Sequence, residues 1–309
     1  MIGYGTWGFS GKEYGNISKE KCVELLNYAY KKGIRFIDTA PIYGNGKVEK
    51  ILNKFLNKKK RDQIVICTKC GMLPHKGFKM KQNFSNKNII KDLNKSLKNL
   101  KTDYIDILLL HSPNIKKINM ARVINLSKKL KEQKLIKYFG ISVRSPQDIN
   151  EIRNLNHLDY VELNFNLLDQ RALKFNILSK LKKFKIKSIC RTPLAFGFLA
   201  DKTIKKELLS KNDHRKVWSQ EQFDAWNKSK NLFNGFQKIY NDKKINSFAL
   251  RYCLSNNFNY VIPGMLKFSE INYNIKVTKK KNISEKNLRK IHKIYLNNEN
   301  KFFIQKRVR

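Results

Sequence analysis

Four polar residues lie at, or just after, the ends of apolar runs. Asp38 ends the run RFID, Lys69 ends IVICTK, His111 ends YIDILLLH, and Tyr43 lies in the loop TAPIYGNG that follows Asp38. Neighbouring parallel strands lie about 4.8 Å apart, so inward side chains at one level of a sheet are within reach of one another. An acid, a phenol, an ammonium and an imidazole in one place are suited to proton transfer.

Transfer of hydride to a carbonyl group is the chemistry that this set predicts. The carbonyl oxygen gains negative charge and needs a proton, which Tyr43, a weak acid with an ordinary pKa of about 10, could donate. An ammonium beside the phenol favours the ionised form, so Lys69 is expected to bring the pKa of Tyr43 toward working pH. Asp38 would keep Lys69 protonated and in place, and His111 would hydrogen-bond the carbonyl oxygen.

Each of the four residues also has an ordinary structural explanation. An Asp at a strand end commonly caps a helix or belongs to a loop, a lone Lys is usually solvated, and a His after an apolar strand is often a hydrogen-bonded structural group. The spacing of all four together favours a catalytic cluster over these explanations.

Short β-branched runs alternate with amphipathic stretches along the chain. Strands are expected at residues 2–5, 35–38, 63–68, 104–110, 138–143, 160–164, 187–191 and 260–262, and helices at 19–32, 47–56, 87–100, 120–132, 146–153, 172–183 and 247–255. Regular alternation indicates parallel strands joined by right-handed crossovers, and eight strands favour a closed (β/α)8 TIM barrel with long loops at the carboxyl ends of its strands. A doubly wound sheet is the alternative, but no GxGxxG follows the first strand.

The length of 309 residues suits one barrel domain over residues 1–309. Residues 200–246 interrupt the rhythm and carry several aromatic residues. Such an insertion is usually a lid or binding loop, whereas its aromatic part is more typical of a peripheral helix on the barrel wall. Residues 284–309 are expected to form a C-terminal helix and a basic tail, which is either disordered or folded over the mouth of the site.

The formal net charge is +41, yet lysines lie on almost every predicted helix rather than in one block. Lys far outnumbers Arg, and Asn and Ile are also heavily used, so AT-rich coding explains the charge. Specific nucleic-acid binding is therefore not expected, although association through bulk charge is kept as a third hypothesis. The charge should still attract anionic substrates and cofactors.

The apolar runs and the cysteines bear on the compartment. No apolar run approaches the roughly 20 residues that a membrane span needs, and MIGYGTWGFSG is unlike a secretory signal. Five scattered cysteines suit a reducing cytoplasm, so a cytoplasmic protein without a membrane partner is expected. Cys67 and Cys70 form a CxxC, but it straddles a strand end without a second ligand pair, so neither redox nor zinc use is predicted.

At these residues the chain resembles the aldo-keto reductase family. The matching stretches run in family order nearly from end to end: RFIDTAPIYGNGKVEKIL, ICTKCG, LKTDYIDILLLHSP, KYFGIS, VELNFNLLDQRA, TPLAFGFLA and VIPGM. The resemblance implies that Asp38, Tyr43, Lys69 and His111 are the catalytic tetrad. It also implies a small aldehyde, ketone or sugar as substrate and a nicotinamide cofactor, usually NADP(H), bound in an extended pose without a Rossmann domain and without a metal.

The resemblance further implies contacts at the nicotinamide end of the cofactor. Ser142 and Glu162 match residues that contact the nicotinamide amide, and Arg191 stands where an aromatic residue usually stacks on the ring. Trp7 is expected to line the substrate pocket, together with residues 78–84 after the third strand.

Contacts at the other end of the cofactor follow in the same way. The residues that match the phosphate-side loop, whose N–H groups would face the pyrophosphate, are Thr192, Leu194 and Gly197. Beyond VIPG, the expected cofactor-binding residues are Gly264, Lys267 and Asn274. Arg215, in the sequence DHR, is a candidate anion clamp on the cofactor or substrate, and a solvated loop arginine is the alternative.

Several of these positions depart from the family pattern. Val143 replaces an Asn, Glu162 replaces a Gln, and Glu270 lies at a typical Arg position, which leaves Lys267 as the only cation of the 2′-phosphate grip. NADP(H) remains the expected cofactor, with NAD(H) also open. Arg191 would either stack on the ring or pair with Glu162. The departures motivate an alternative, a dinucleotide-binding redox sensor with little turnover; either a monomer or a homo-oligomer is expected.

The floor of the barrel is a further departure. Family members usually carry a short hairpin before the first strand, which closes the barrel at the amino ends of its strands. This sequence begins at MIGYGTWGF, almost on the strand, so either the hairpin is absent or the true start lies upstream. Without the hairpin, apolar side chains of the lowest layer are expected to be exposed.

Overall fold

A computed structural model of the chain describes residues 1–11, 14–57, 59–74, 81–200, 203–211 and 213–303. Its main sheet has eight parallel strands: β1 Tyr4–Gly5, β2 Phe36–Asp38, β3 Val65–Cys70, β4 Ile105–His111, β5 Ile136–Ser142, β6 Tyr160–Asn164, β7 Lys187–Arg191 and β8 Tyr260–Ile262. Each strand pairs with the next in chain order. Bridges from Ile2 to Val261 and from Gly5 to Gly264 join the first strand to the last. The predicted (β/α)8 barrel is confirmed.

The α-helices are α1 Lys19–Lys31, α2 Lys47–Leu56, α3 Asn86–Leu100, α4 Met120–Glu132, α5 Arg171–Lys174, α6 Ile177–Lys183, α7 Gln220–Ser229, α8 Asn234–Ile239, α9 Ile245–Ser255, α10 Phe268–Thr278 and α11 Glu285–Phe302. Local sequence explains where several begin, because a Ser or Asn side chain accepts a hydrogen bond from the first helical turn. Ser18 accepts from the Lys21 N–H at 3.1 Å, and Asn119 accepts from the Arg122 N–H at 3.0 Å.

Two predicted helices differ in the structure. Residues 146–153 form a 3₁₀ turn, Pro146–Glu151, which ends because Ile152 is extended. The stretch 172–183 is divided into α5 and α6 at Asn176, whose left-handed backbone (φ 55°) breaks the helix. A short antiparallel pair, Met72–Leu73 with Lys81–Gln82, follows β3.

The barrel interior is a separate apolar cluster inside the ring of strands. Its buried members are Phe36, Cys67, Ile107, Leu109, Tyr160, Ile189 and Ile262. A larger cluster fills the space between the strands and the surrounding helices. Cys67 belongs to the inner cluster and Cys70 to the outer one, so the CxxC cysteines lie on opposite faces of β3.

Aromatic rings cover the floor of the barrel. The Phe36 and Tyr260 rings stack at 3.9 Å, and Tyr138 meets Tyr160 edge-on at 5.5 Å, with the Lys187 ammonium over both tyrosine rings. Tyr160 is buried, and Tyr138 is 39% exposed. The sequence predicts exposed apolar side chains at the floor, whereas the structure has mainly partly exposed tyrosine rings there.

The insertion after β7 is mostly helical and packs against the C-terminal helix. The Trp226 indole N–H and the Gln222 amide both donate to the Phe302 carbonyl at the end of α11. Phe223 and Phe233 are buried. This part of the insertion is therefore a wall helix, as its aromatic residues indicate. The end of the basic tail, residues 304–309, lies outside the described residues.

Within the described ranges, no helix combines the length and the apolar character that crossing a bilayer requires.

Candidate active site

The four predicted site residues meet at the carboxyl ends of the strands. Asp38 ends β2, Lys69 lies one residue before the end of β3, and His111 ends β4. All three are buried, and Lys69 is only 1% exposed. The Lys69 Nζ lies 2.5 Å from Asp38 Oδ1 and donates to the Thr39 carbonyl at 3.1 Å. The ammonium is therefore held in one place by groups of its neighbouring strand.

A turn of residues with left-handed backbone angles positions Tyr43 over Asp38 and Lys69. Gly44, Asn45 and Gly46 all have φ between 53° and 86°, and a Cβ at Gly46 would lie 3.0 Å from the Asn99 amide nitrogen. The sequence YGNG is needed here because glycine adopts this backbone without steric cost. The Tyr43 ring lies with its centroid 5.4 Å from Lys69 Nζ.

The imidazole of His111 is the fourth member of the cluster. Its ring centroid lies 6.1 Å from that of Tyr43, at an interplanar angle of 81°. Strand register places His111 opposite Ser142, and Ser142 opposite Glu162, so these residues lie at one level of the barrel.

A second carboxylate, Glu162 on β6, faces the same ammonium from across the barrel. Glu162 Oε2 lies 3.5 Å from Lys69 Nζ, and Oε1 accepts a hydrogen bond from the Ser142 hydroxyl at 2.7 Å. Arg191 Nε lies 4.0 Å from Glu162 Oε1, and the Arg191 guanidinium also donates to the Val143 carbonyl at 2.9 Å. Of the two expectations for Arg191, the structure shows the ion pair with Glu162. The contact between Glu162 and Lys69 was not predicted.

Burial and these charges shift the pKa values of the cluster. Burial raises the pKa of Asp38 to about 8, with Glu162 adding to the effect and Lys69 opposing it. Burial disfavours the charge of Lys69, but Asp38 and Glu162 outweigh burial and raise the pKa of Lys69 well above its ordinary value. Burial also disfavours the charge of Glu162, yet Lys69 and Arg191 hold the pKa of Glu162 below its ordinary value. The cluster thus keeps a firmly protonated ammonium.

Tyr43 differs from the expectation. Burial raises its pKa well above the ordinary value, with Asp38 and Glu162 adding to the rise and Lys69 and Arg191 opposing it. The expectation that Lys69 brings the pKa of Tyr43 toward working pH is therefore wrong for this structure, because burial and two carboxylates outweigh one ammonium. Tyr43 remains a protonated phenol over the ordinary pH range.

A cleft of about 1250 Å³ opens above the cluster and extends across the barrel mouth. Its lining begins with Trp7, Tyr43 and His111 and continues along the loop after β7. The lining also includes residues of α10 and of the segment before it: Gly264, Leu266, Ser269, Glu270, Tyr273 and Asn274. The volume of the cleft, and a lining that includes both the cluster and α10, are suited to an extended ligand.

Aromatic rings form the wall of the cleft beside Tyr43. The Trp7 ring centroid lies 6.5 Å from that of Tyr43, and the His214 ring packs 4.5 Å from Trp7 and 4.9 Å from Tyr14. Phe196 meets Trp7 edge-on at 6.4 Å. Trp7 thus lines the cleft, and its contact with a substrate stays a prediction. Phe84, by contrast, packs under Gly71, where its ring would clash with a Cβ, and Phe78 lies outside the described residues.

The loop after β7 has a strained backbone that the insertion holds in place. Thr192, Ala195 and Phe196 have φ between 46° and 56°, a left-handed region that non-glycine residues seldom adopt. The Gly197 N–H donates to the Leu194 carbonyl at 2.8 Å, so in this structure it serves the turn. Of the backbone N–H groups that are predicted to face the pyrophosphate, that of Gly197 is therefore already bonded within the loop.

Arg215 supports this loop from the insertion. Its guanidinium donates to the Phe196 carbonyl at 3.0 Å and forms a two-point ion pair with Asp213, with contacts of 2.9 and 2.7 Å. The Arg215 side chain is thus neither a solvated loop arginine nor an unengaged clamp, although it does line the cleft.

The far end of the cleft carries an acid where a cation is typical. Glu270, in the first turn of α10, accepts hydrogen bonds from the backbone N–H of Leu266 at 2.7 Å and of Lys267 at 3.2 Å. Lys267 is exposed, whereas Asn274 is buried. The carboxylate therefore occupies the N–H groups at the start of this helix.

A metal-like grouping is present among the described residues. Ligand atoms of Asp38, Cys67 and Glu162 all lie within 4.8 Å of one another. The Lys69 ammonium already contacts both carboxylates, so it occupies the position between them that a metal ion would need. The expectation of a metal-free site stays a prediction.

Comparison with known proteins relates this geometry to a family. The sequence model of the Aldo/keto reductase family matches residues 1–296. The chain is 27% identical over 257 residues to the aldo-keto reductase YhdN of Bacillus subtilis, covering 82% of this chain and 77% of that protein. It is 28% identical over 232 residues to the NADH-specific methylglyoxal reductase of Escherichia coli, with 71% of each chain covered.

Solved structures show the same fold. The structure of the glycerol dehydrogenase AKR11B4 from Gluconobacter oxydans matches with a TM-score of 0.79 and 23% identity, over 96% of this chain and 91% of that one.

Proposed function

The chain belongs to the aldo/keto reductase family, whose members are oxidoreductases of carbonyl substrates, and from this premise we propose that it reduces a small aldehyde, ketone or sugar with a nicotinamide cofactor and with Tyr43 as the acid. One observation carries the proposal. The phenol of Tyr43, the ammonium of Lys69 and the imidazole of His111 converge beside a cleft of about 1250 Å³, whose lining includes Tyr43, His111 and residues of α10.

The nicotinamide end of the cleft fits such a cofactor. Among the described residues, Glu162 Oε2 and Arg191 Nε are buried without a hydrogen-bond partner, and both residues line the cleft. Buried polar atoms without partners are costly, and a ligand that supplies them removes that cost. A carboxamide has both an N–H donor for Glu162 and a carbonyl acceptor for Arg191. Ser142 would complete this contact.

The adenosine end fits a 2′-hydroxyl better than a 2′-phosphate. Glu270 places a negative charge at the end of the cleft and takes up two backbone N–H groups that a phosphate would use. In Rossmann domains, a carboxylate commonly accepts a hydrogen bond from the ribose 2′-hydroxyl of NAD, and Glu270 would do the same in this barrel. These observations favour NADH over the NADPH that the family resemblance implies. The NADH-specific methylglyoxal reductase among the relatives is consistent with this preference.

The residues of the cluster would have separate roles in the reaction. The bound cofactor supplies hydride to the carbonyl carbon. Tyr43 donates its phenolic proton to the carbonyl oxygen as the negative charge develops there, and later regains a proton from solvent. Lys69 stabilises the transient tyrosinate, and Asp38 keeps Lys69 in position. His111 would orient the carbonyl oxygen, and Trp7 would pack against the remainder of the substrate.

The test is a substrate panel with two matched variants. Purified protein is mixed with NADH or NADPH and with methylglyoxal, other aldehydes, ketones and sugars, and loss of reduced-nicotinamide absorbance is measured. Tyr43→Phe is expected to lower kcat by at least about 100-fold, the usual contribution of a general acid, while nucleotide affinity stays within about twofold. Tyr138→Phe makes the same change at the barrel floor and should leave both unchanged.

Two results would contradict the proposal. Turnover by Tyr43→Phe at the rate of the unaltered protein would show that Tyr43 is not the acid. Tight nucleotide binding without turnover of any carbonyl substrate would instead support the redox-sensor alternative.

A further inference from the structure

The proposed mechanism gives Glu162 a contact with the cofactor but no role for its position beside Lys69. Its strand, β6, is not a neighbour of β3 in the sheet, so Glu162 and Lys69 meet only because the barrel closes. Both are 1% exposed. The Lys69 ammonium donates hydrogen bonds to Asp38 Oδ1 at 2.5 Å and to the Thr39 carbonyl at 3.1 Å. Glu162 Oε2 lies 3.5 Å from the same ammonium, in ion-pair contact without a hydrogen bond.

Neighbouring groups keep the Glu162 carboxylate charged and directed at Lys69. The Ser142 hydroxyl donates to Oε1 at 2.7 Å, and Arg191 Nε lies 4.0 Å from the same oxygen. A buried carboxylate without such partners would become neutral. Its charge is therefore a lasting part of the cluster, and the ammonium beside Tyr43 is shared between two acids.

We propose that Glu162 is a positioning residue of the reaction, whose negative charge offsets that of Lys69 and so keeps Tyr43 protonated at higher pH than a neutral residue would. The proposal rests on the proposed function, in which Tyr43 is the acid. At pH above the raised pKa of Asp38, about 8, two carboxylates surround one ammonium. Less positive charge then remains to stabilise the tyrosinate, so the phenol keeps its proton. A glutamine at this position would release that restraint.

The pKa shifts agree with this geometry. Burial raises the pKa of Tyr43, and Asp38 and Glu162 both add to the rise, whereas Lys69 and Arg191 oppose it. Glu162 is also, after burial, the largest contributor to the raised pKa of Asp38. The titratable and charged groups that interact with Glu162 from the surrounding elements are Asp38 of β2, Cys67 and Lys69 of β3, Cys190 and Arg191 of β7, and Tyr43 of the loop after β2.

The experiment compares pH profiles of carbonyl reduction in three proteins. Glu162→Gln removes the charge and keeps the shape, and Glu162→Asp keeps the charge. Because Tyr43 of the unaltered protein stays protonated over the ordinary pH range, each profile is extended to the highest pH at which circular dichroism shows the protein to be folded. In Glu162→Gln, the alkaline limb, along which activity is lost as Tyr43 deprotonates, should begin about one pH unit lower than in the unaltered protein, a usual shift for one nearby charge. In Glu162→Asp the limb should stay within about 0.3 units of its original pH.

A buried acid elsewhere provides the matched control. Glu49 is buried behind β3, where it accepts hydrogen bonds from Thr68 and Asn99 and does not face Lys69. Glu49→Gln removes one buried carboxyl charge at a distance from the phenol, so it should not move the alkaline limb even if it lowers stability.

A second readout does not depend on turnover. Tyrosinate absorbance is titrated in each protein and in its Tyr43→Phe derivative, and the difference reports Tyr43 alone. That difference should titrate at lower pH in Glu162→Gln than in the unaltered protein. An unmoved titration, or an equal movement in Glu49→Gln, would overturn the inference. Absence of carbonyl reduction in the unaltered protein would contradict the proposed function, and the absorbance titration would still decide the role of Glu162.

Discussion

The carboxylate of Glu270, which lines the same cleft as Tyr43, accepts a hydrogen bond from the backbone N–H of Leu266 at 2.7 Å. A second bond from the Lys267 N–H, at 3.2 Å, holds the same carboxylate against the start of α10. A 2′-phosphate placed there would meet a like charge and find these N–H groups already bonded. A ribose hydroxyl would meet an acceptor.

We therefore expect Glu270 to determine nucleotide preference. Glu270→Gln should improve NADPH affinity relative to NADH by about tenfold, because it removes repulsion of roughly one charge pair near the surface. Dissociation constants for both nucleotides are measured by quenching of tryptophan fluorescence, without substrate. Glu285→Gln, in the first turn of the distant helix α11, is the control and should leave the ratio unchanged.

The ratio in the unaltered protein is also informative. Tighter binding of NADPH than NADH, unaltered by Glu270→Gln, would show that the 2′-phosphate is held elsewhere and would contradict this role of Glu270.

A second prediction concerns the loop that follows β7. Arg215 joins the Phe196 carbonyl to Asp213 and so holds a backbone with several left-handed residues. Arg215→Ala should weaken binding of either nucleotide by at least about tenfold, the cost of ordering roughly one residue on binding. Calorimetric titration of the nucleotide measures this loss.

The control for that loss is Arg289→Ala, which removes an exposed arginine of α11 whose partner is Glu285. Equal affinities in both variants would mean that the loop keeps its shape without Arg215.

Whether the sequence predicts a contact in this site depends on how many strands separate its two residues in the sheet. Asp38 and Lys69 end neighbouring strands, so their meeting follows from the order of the strands alone. The contact between Lys69 and Glu162 depends on ring closure, which periodicity does not specify. The predicted direction of the Tyr43 pKa shift is wrong, because burial and a carboxylate from across the barrel outweigh the lysine that the sequence places nearby.

Local backbone explains the other differences. Helix α10 was not predicted, and its N-cap is Lys267, so the usual Ser, Thr, Asp or Asn signal of a helix start is missing. The helix predicted over residues 172–183 is broken by one left-handed residue, Asn176. The eight barrel strands, by contrast, were predicted because β-branched runs and turn residues recur at regular spacing.

A third prediction follows from the ammonium at the centre of the cluster. Lys69→Met leaves Asp38 and Glu162 buried without their common partner, which should lower the free energy of unfolding by about 3–5 kcal/mol at pH 8. Without Lys69, the folded-state pKa of Glu162 rises above its unfolded value, and that of Asp38, already about 8, rises further. The folded protein then binds more protons than the unfolded chain between those values, so stability falls as pH rises.

The loss of stability in Lys69→Met should accordingly be smaller at pH 5 than at pH 8, and thermal unfolding at the two pH values measures it. Adding Glu162→Gln to Lys69→Met should restore part of the loss at pH 8, because one of the two uncompensated charges is removed. A loss that is the same at both pH values would point to lost packing rather than to charge.

The last prediction separates the barrel floor from the site. Tyr160 is buried at the floor, where its ring meets the edge of Tyr138 and lies under the Lys187 ammonium. Tyr160→Ala should lower the free energy of unfolding by about 3–5 kcal/mol, as expected for loss of a buried aromatic ring. Tyr138→Ala should lower it by less than about 2 kcal/mol, because the Tyr138 ring is 39% exposed. Urea unfolding measures both losses. Nucleotide affinity should stay unchanged in each variant, since the floor and the cleft lie at opposite ends of the strands, and a loss of affinity in Tyr160→Ala would contradict that separation.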